Sequence, residues 1–258
     1  MEGLNTRTVL VTGSNRGIGL EIVKQLVGQG NRPACIFATC RDPEGPGAQE
    51  LRNLAAKHQG IEIIPLDTCK LPTIKAAAAR VTEKLNGAGL NLLINNAGIL
   101  KLSTVESETE ENMAQVYKTN VIGPMLVSQA FLPLLRKAAQ ESPQKGMSCG
   151  KAAIVNMSSE CGSITNLFAW EFDQVISYRC SKTALNMLTR CQSQGFAKDE
   201  ILCITFHPGW LQTDMGNQLG PPPLTLECSV RGVLKTLAGL SEKDNGAFVN
   251  WEGKNLPW

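Results

Sequence analysis

The sequence predicts an α/β protein, a single domain over residues 1–258 built on a doubly wound parallel sheet of about seven strands. Three observations carry this. Short aliphatic or β-branched runs alternate with longer segments of helical period from one end of the chain to the other. Several of these runs are apolar at every position, as in strands covered by helices on both faces. No linker-like stretch or internal repeat interrupts the alternation, so one sheet with right-handed crossovers accommodates it.

In chain order, the strand at 8–11 leads to a helix at 17–28, and that at 35–39 to a helix at 47–58. The strand at 61–66 precedes a helix at 72–86, and 92–95 precedes a long helical stretch at 108–137. Strands at 152–157 and 202–206 precede helices at 177–197 and 225–240, and a last strand falls at 247–251. Among the connections, 42–46 (DPEGP) is a turn cluster, and the breaker-rich 140–151 is a mobile surface connection. The segment 212–226 follows the sixth strand and contains Gly216, Gly220 and Pro221 to Pro223. Open α/β sheets bind ligands outside the carboxyl ends of their strands. This last segment is therefore placed to cover a substrate, the alternative being an ordinary exposed loop.

A chain of 258 residues can bury a sizeable core, ~75% of its unfolded surface. Its 25 basic and 23 acidic residues nearly balance and are dispersed, which argues against nucleic-acid and membrane partners. Nine cysteines lie at irregular spacing without a C-x-x-C pair, and there are two histidines, His58 and His207. That pattern favours reduced thiols in a cytoplasmic protein over a disulfide framework or a metal site. The N-terminal residues resemble neither a secretory leader nor a transit segment, and no apolar run nears the ~18 residues of a spanning helix.

The first strand ends in Thr12-Gly13-Ser14-Asn15-Arg16-Gly17-Ile18-Gly19, a T-G-x-x-x-G-x-G pattern that opens a helix. Glycines there permit a tight turn and let a pyrophosphate approach the backbone, while the helix N-terminus offers free N–H groups. An NAD site commonly places an acid ~20 residues further on for the ribose hydroxyls. Here the second strand ends Thr39-Cys40-Arg41, with a thiol at that place and a guanidinium after it. Arg16 and Arg41 together favour a 2′-phosphate and hence NADP(H), because arginine clamps phosphate bidentately. Two alternatives stay open: a slip of register would put Asp42 at the acidic position, and both arginines could be solvated surface residues. Asp67, after the third strand, is placed to accept from an adenine amino group. Asn95, Asn96, Ala97 and Gly98 close the fourth strand, with Asn95 bracing the turn or contacting cofactor and Ala97 and Gly98 leaving room for a ribose.

Tyr178 and Lys182 stand four positions apart, on one face of a helix. A cation ~4 Å from a phenol is worth ~4 kcal/mol at an effective dielectric of ~20. That corresponds to about three pKa units and would bring a phenol of pKa ~10 near neutrality. Ser158 and Ser159 end the fifth strand at the ligand edge, where either hydroxyl could polarise a substrate carbonyl or satisfy loop amides. Asn120 lies within the helical stretch, facing solvent or holding a water in a proton relay through Lys182 to Tyr178.

With T-G-x-x-x-G-x-G, N-N-A-G, the mid-helix Asn, the strand-end Ser and Y-x-x-x-K in this order, the chain resembles the short-chain dehydrogenase/reductase family over nearly its whole length. T-C-R, V-N-M-S-S and H-P-G-W-L-Q-T-D-M at 207–215 are similar to sniffer-type carbonyl reductases, close to the C-factor-like group. The resemblance implies a Rossmann fold and a tetrad of Asn120, Ser159, Tyr178 and Lys182, with Ser159 preferred to Ser158 because the family uses the second serine of such pairs. It also implies that Pro208 and Gly209 form the turn whose following backbone, at Leu211 and Thr213, meets the nicotinamide carboxamide. The implied reaction is NADPH-dependent reduction of a small carbonyl compound (quinone, diketone, aldehyde or ketone), with Tyr178 giving the proton. Nineteen positions separate Ser159 from Tyr178, about six more than is common in the family, and the surplus falls in the aromatic-rich 166–176. Phe168, Trp170 and Trp210 either line an apolar substrate site or simply pack.

Two rival readings are an alcohol or steroid dehydrogenase running oxidatively and a non-catalytic protein that senses dinucleotides. The helices at 108–137 and 177–197 are the surfaces through which a homodimer would form.

Overall fold

The structure, a computed structural model, describes residues 3–171 and 174–258, so Met1 and Glu2 of the expected domain and Phe172 and Asp173 of the expected insertion lie outside the described residues. Strands β1 (Thr8–Thr12), β2 (Cys35–Cys40), β3 (Ile61–Pro65), β4 (Leu92–Asn95), β5 (Ala153–Met157), β6 (Leu202–His207) and β7 (Phe248–Asn250) form one seven-stranded sheet. Its order is β3-β2-β1-β4-β5-β6-β7, and every pairing is parallel. The order reverses between β1 and β4, which opens a crevice at the carboxyl edge.

The uniformly apolar strands divide by parity. Val9, Val11, Ile36, Ala38, Leu92, Ile94, Val155 and Ile204 face a core shared with α1 (Gly17–Val27), α2 (Gln49–Lys57) and α7 (Leu226–Gly239). Leu10, Phe37, Leu93, Ile154 and Cys203 face the opposite core, against α3 (Leu71–Leu85) and α5 (Gly123–Glu141). Each Val, Leu, Ile or Phe among them contributes roughly 1.5–3 kcal/mol by leaving water.

Two expectations need correction. The stretch 108–137 is not one helix: α4 (Glu110–Tyr117) passes through a π-helical turn at Lys118–Ile122 into α5, which runs on to Glu141. Pro124 explains the break. It has no N–H to give to the carbonyl of Asn120 four residues back, and the neighbouring Gly123 N–H bonds Lys118 instead, one residue beyond helical register. The connection at 140–151 is anchored rather than loose, since the Lys151 ammonium is buried against the Gln144 carbonyl (3.0 Å) and Glu200 (2.7 Å).

Candidate active site

A cavity of about 1000 Å³ follows the carboxyl edge of the sheet from Arg41 to Met215. Gly13 (φ 68°) and Gly17 (φ 56°) adopt the left-handed backbone that allows the chain to turn back from β1. A Cβ at Gly17 would meet nothing nearer than the Thr213 methyl at 4.0 Å, so this backbone opens on the cavity. Gly13, Asn15, Arg16, Gly17 and Ile18 line it. Gly19 does not. A Cβ there would stand 2.3 Å from the Gly13 carbonyl oxygen, so this glycine serves the close packing of helix on loop.

At the end of β2, Cys40 is buried while Arg41 is exposed on the rim. Asp42 also lines the rim, but its Oδ1 accepts from Gly45 N at 3.0 Å and so shapes the turn. Arg16 reaches across the cavity to Asp214 at 2.7 Å, a partner that the glycine-loop pattern did not reveal. Asp67 lines the cavity and accepts from Cys69 N at 2.9 Å. These features fit a dinucleotide carrying a 2′-phosphate, with bare glycine backbone for the pyrophosphate and two guanidinium groups at the far end.

Ala97 and Gly98 line the cavity, with Asn96 and Ala97 held by their N–H groups on Thr12 Oγ1, both at 3.0 Å. Asn95 does not reach the cavity. Its amide donates to Asn156 Oδ1 (2.9 Å) and Ser128 (3.2 Å), and Asn156 continues to Thr189 and Gln192, so Asn95 braces β4 to β5, α5 and α6 (Ile176–Gly195). Strand parity puts it on the same face as Leu93, beneath the helices.

Tyr178 and Lys182 rise from the first two turns of α6 and line the cavity with Ser159. Ser158 lines the cavity too, but its hydroxyl is committed, donating to Asn186 Oδ1 at 2.6 Å, which leaves the Ser159 hydroxyl for a ligand. Ser159 Oγ accepts from Cys161 N at 3.2 Å and stands beside the Tyr178 phenol, whose pKa it lowers. Lys182 Nζ donates to the Met157 carbonyl at 2.8 Å and lies 5.4 Å from the centre of the Tyr178 ring.

The electrostatics reverse one expectation. Burial pushes the Tyr178 phenol well above its usual value, helped by the Cys161 thiol and opposed by Ser159. Burial also brings the Lys182 ammonium down to about 8, with Cys161 pulling the other way. The lysine therefore does not carry the phenol to neutrality. Its own charge is penalised by the same enclosure.

Asn120 is buried on the π-helical turn, and its side chain does not open on the cavity. It receives the Ile99 N–H and donates to the Ile99 carbonyl (both 2.9 Å) and to Ser181 (3.0 Å), tying the strand end to α6. The side chain is thus committed to a direct brace, and Pro124 leaves the Asn120 carbonyl without its helical donor.

Pro208, Gly209, Leu211 and Thr213 all line the cavity. The Pro208 carbonyl is fixed by Ser229 at 2.5 Å, and Gly209 (φ 98°) leaves space that a Cβ would lose to Leu224. Phe168 and Trp210 also line it, whereas Trp170 stacks beneath the Arg179 guanidinium at 5.4 Å. Two further cavity residues were given no role from the sequence, although His207 opens the H-P-G-W-L-Q-T-D-M stretch. Cys161 sits two positions after Ser159, and His207 takes the Glu160 N–H on Nδ1 (3.2 Å) and is held neutral by burial, at about 4.

A nucleotide cradle at the β1/β4 reversal beside a half-buried Ser159 and the buried Tyr178–Lys182 pair defines a class, and the comparisons agree: residues 7–223 match the family described as short chain dehydrogenase, and the chain belongs to it. It is an enzyme of that oxidoreductase type. Among solved structures it is similar to the NADPH-bound carbonyl reductase from chicken fatty liver, at 56% identity and TM-score 0.95 over 99% of this chain and 100% of that one. The carbonyl reductase Sniffer of D. melanogaster is 37% identical with TM-score 0.93, over 98% and 100% of the two chains. The C-signal protein of Myxococcus xanthus is 33% identical over 66% of this chain and 93% of its own length.

Proposed function

We propose that this enzyme reduces small carbonyl compounds to alcohols at the expense of NADPH. The observation that carries the proposal is that Tyr178, kept protonated by burial, lines one cavity with Ser159, Lys182 and the two arginines. When bound, the cofactor supplies hydride to the carbonyl carbon. Ser159 and Tyr178 hold the carbonyl oxygen, and Tyr178 gives it a proton as negative charge develops there. Lys182, whose ammonium gives up its proton readily at about 8, returns a proton to the phenol and faces the nicotinamide ribose. Asn120 holds Ile99 and Ser181 in place around this group. Arg16 and Arg41 take the 2′-phosphate, Gly13 to Ile18 the pyrophosphate, Asp67 the adenine, and the backbone at Leu211 and Thr213 the carboxamide.

Leu100, Phe168, Val175, Met215 and Leu219 give the substrate end an apolar wall, which favours carbonyl compounds with hydrophobic or aromatic bodies. A cytoplasmic location accords with nine unpaired cysteines, and no described helix is long and apolar enough to cross a membrane. For assembly, the proposal is a homodimer through α5 and α6, read by sizing at assay concentration.

The test is NADPH consumption with a panel of quinones, diketones, aldehydes and ketones. Tyr178→Phe is expected to keep NADPH affinity within about twofold and to lose turnover by at least ~10²-fold. Near-normal turnover in that variant would refute the assignment, and no turnover of any carbonyl by the wild type would favour a dinucleotide sensor.

A further inference from the structure

Helix α6 carries both Tyr178 and Lys182, yet it begins without a cap of its own. Its N-cap position is Val175, an aliphatic residue at φ 39° and ψ 53°, and no side chain at that position accepts from the first turn. Ordinary N-caps use extended backbone and a side-chain oxygen. The N–H groups of Ile176 and Ser177 are therefore left to find acceptors elsewhere.

Both acceptors come from the connection between β4 and α4, about seventy residues earlier. Ser103 Oγ accepts from Ile176 N at 3.1 Å. Glu108 Oε2 accepts from Ser177 N at 2.8 Å and also from Ser103 Oγ at 2.6 Å. Ser103 Oγ thus passes the bond on, from the helix to the carboxylate. The other oxygen, Oε1, takes Thr109 N at 2.9 Å. The loop is itself stiff: Glu108 N donates to the Thr104 carbonyl, Thr104 N to Ser107 Oγ, and Val105 N to Gln174 Oε1. Ser103 and Ser177 are buried, so their bonds are shielded from water.

We propose that Glu108, with Ser103, is a positioning residue for the reaction: it caps α6 from outside the helix and thereby sets the height and direction of Tyr178, the next residue along. The long 166–176 connection delivers the chain to α6 in left-handed backbone, and the carboxylate from the other side of the site replaces the missing local cap. A carboxylate suits the place because it accepts three donors at once and faces the positive end of the helix. In Glu108→Gln the amide oxygen serves Ser177 N and Ser103, while its NH₂ confronts Thr109 N.

The inference rests on Tyr178 being the proton donor, and the test separates the two. Glu108→Ala, Glu108→Gln and Ser103→Ala are compared with wild type in kcat, in NADPH affinity by nucleotide fluorescence, and in amide exchange at residues 176–178. Glu108→Ala is expected to lower kcat by ~10–100-fold, the scale of an ångström-level misplacement, with NADPH affinity within about twofold and faster exchange at 176–178. Glu108→Gln should recover most of the rate, and Ser103→Ala should fall between. The proposal is overturned if Glu108→Ala keeps its kcat, if kcat and NADPH affinity fall together, or if Glu108→Gln is no better than the alanine. Should wild type reduce no carbonyl, the functional reading fails separately; the cap is then supported by faster exchange at 176–178 in Glu108→Ala and overturned by unchanged exchange.

Discussion

At the residue scale, the enclosure that raises the Tyr178 phenol and lowers Lys182 divides their work. A phenol that holds its proton through the neutral range is ready to donate, while a lysine brought down to about 8 can part with one. Reduction should therefore slow above pH ~8, where Lys182 loses the proton it returns to the phenol. Lys182→Arg stays charged, so its pH profile should lack that basic limb even though its rate is lower. A limb unmoved in the arginine variant would show that another group titrates. Glu108 makes a second pH statement. Partial burial opposes its ionisation, but hydrogen bonds from Ser103, Thr109 and Ser177 outweigh this and hold the carboxyl down to about 2, from 4.5. A folded-state value below the unfolded one means the stabilisation is complete above about pH 4.5 and is lost as pH falls towards 2. Urea midpoints of wild type and Glu108→Gln should accordingly differ at pH 6, and the difference should shrink steadily as pH falls from about 4.5 towards 2.

At the scale of elements, the strands, the glycine loop and the Tyr178–Lys182 face were legible because each is specified by neighbours in sequence: period, a turn requirement, a four-residue offset. Asn95, Asn120 and Glu108 were not legible in that way. Whether Asn95 meets ligand or core depends on which face β5 and α5 cover, and Asn120 is committed by Ile99 and Ser181 only once β4 and α6 converge. The caps on α6 come from a loop that nothing in the motif Y-x-x-x-K announces. The break before α5 was readable from Pro124, had the missing N–H been followed back to Asn120. The 166–176 connection carries strain of its own: Leu167 (φ 41°), Ala169 (φ 54°) and Val175 (φ 39°) are left-handed without being glycine. Leu167 is 52% exposed and so gives up little burial on substitution. Leu167→Asn should stabilise the protein by up to ~1 kcal/mol, because asparagine tolerates this backbone. A melting temperature raised by about 2–4 °C would register it, and a lowered one would mean the leucine packs in solution.

At the scale of the whole molecule, the cavity collects the ends of β1 to β6, so a dinucleotide lying in it would clamp most of the sheet's carboxyl edge. A ligand of the folded chain alone stabilises it by mass action, ~2.7 kcal/mol at one hundred times its Kd. For a domain of this size that is a rise of about 5–10 °C, and NADH at equal concentration should give a smaller one because it offers nothing to Arg16 and Arg41. Arg41→Ala should narrow the difference between the two nucleotides. Arg16 adds a term of its own. Its guanidinium is shared with Asp214, from the loop after β6, and both side chains are well exposed, which limits the pair to ~0–1 kcal/mol. A 2′-phosphate competes with that carboxylate for the same cation and also meets its negative charge. Asp214→Asn should therefore tighten NADPH by up to about fivefold, the affinity equivalent of the pair, and leave NADH nearly unchanged. Equal tightening of both nucleotides would place the effect on loop closure instead, and weaker NADPH binding would mean that the Arg16–Asp214 bridge is itself part of the bound state.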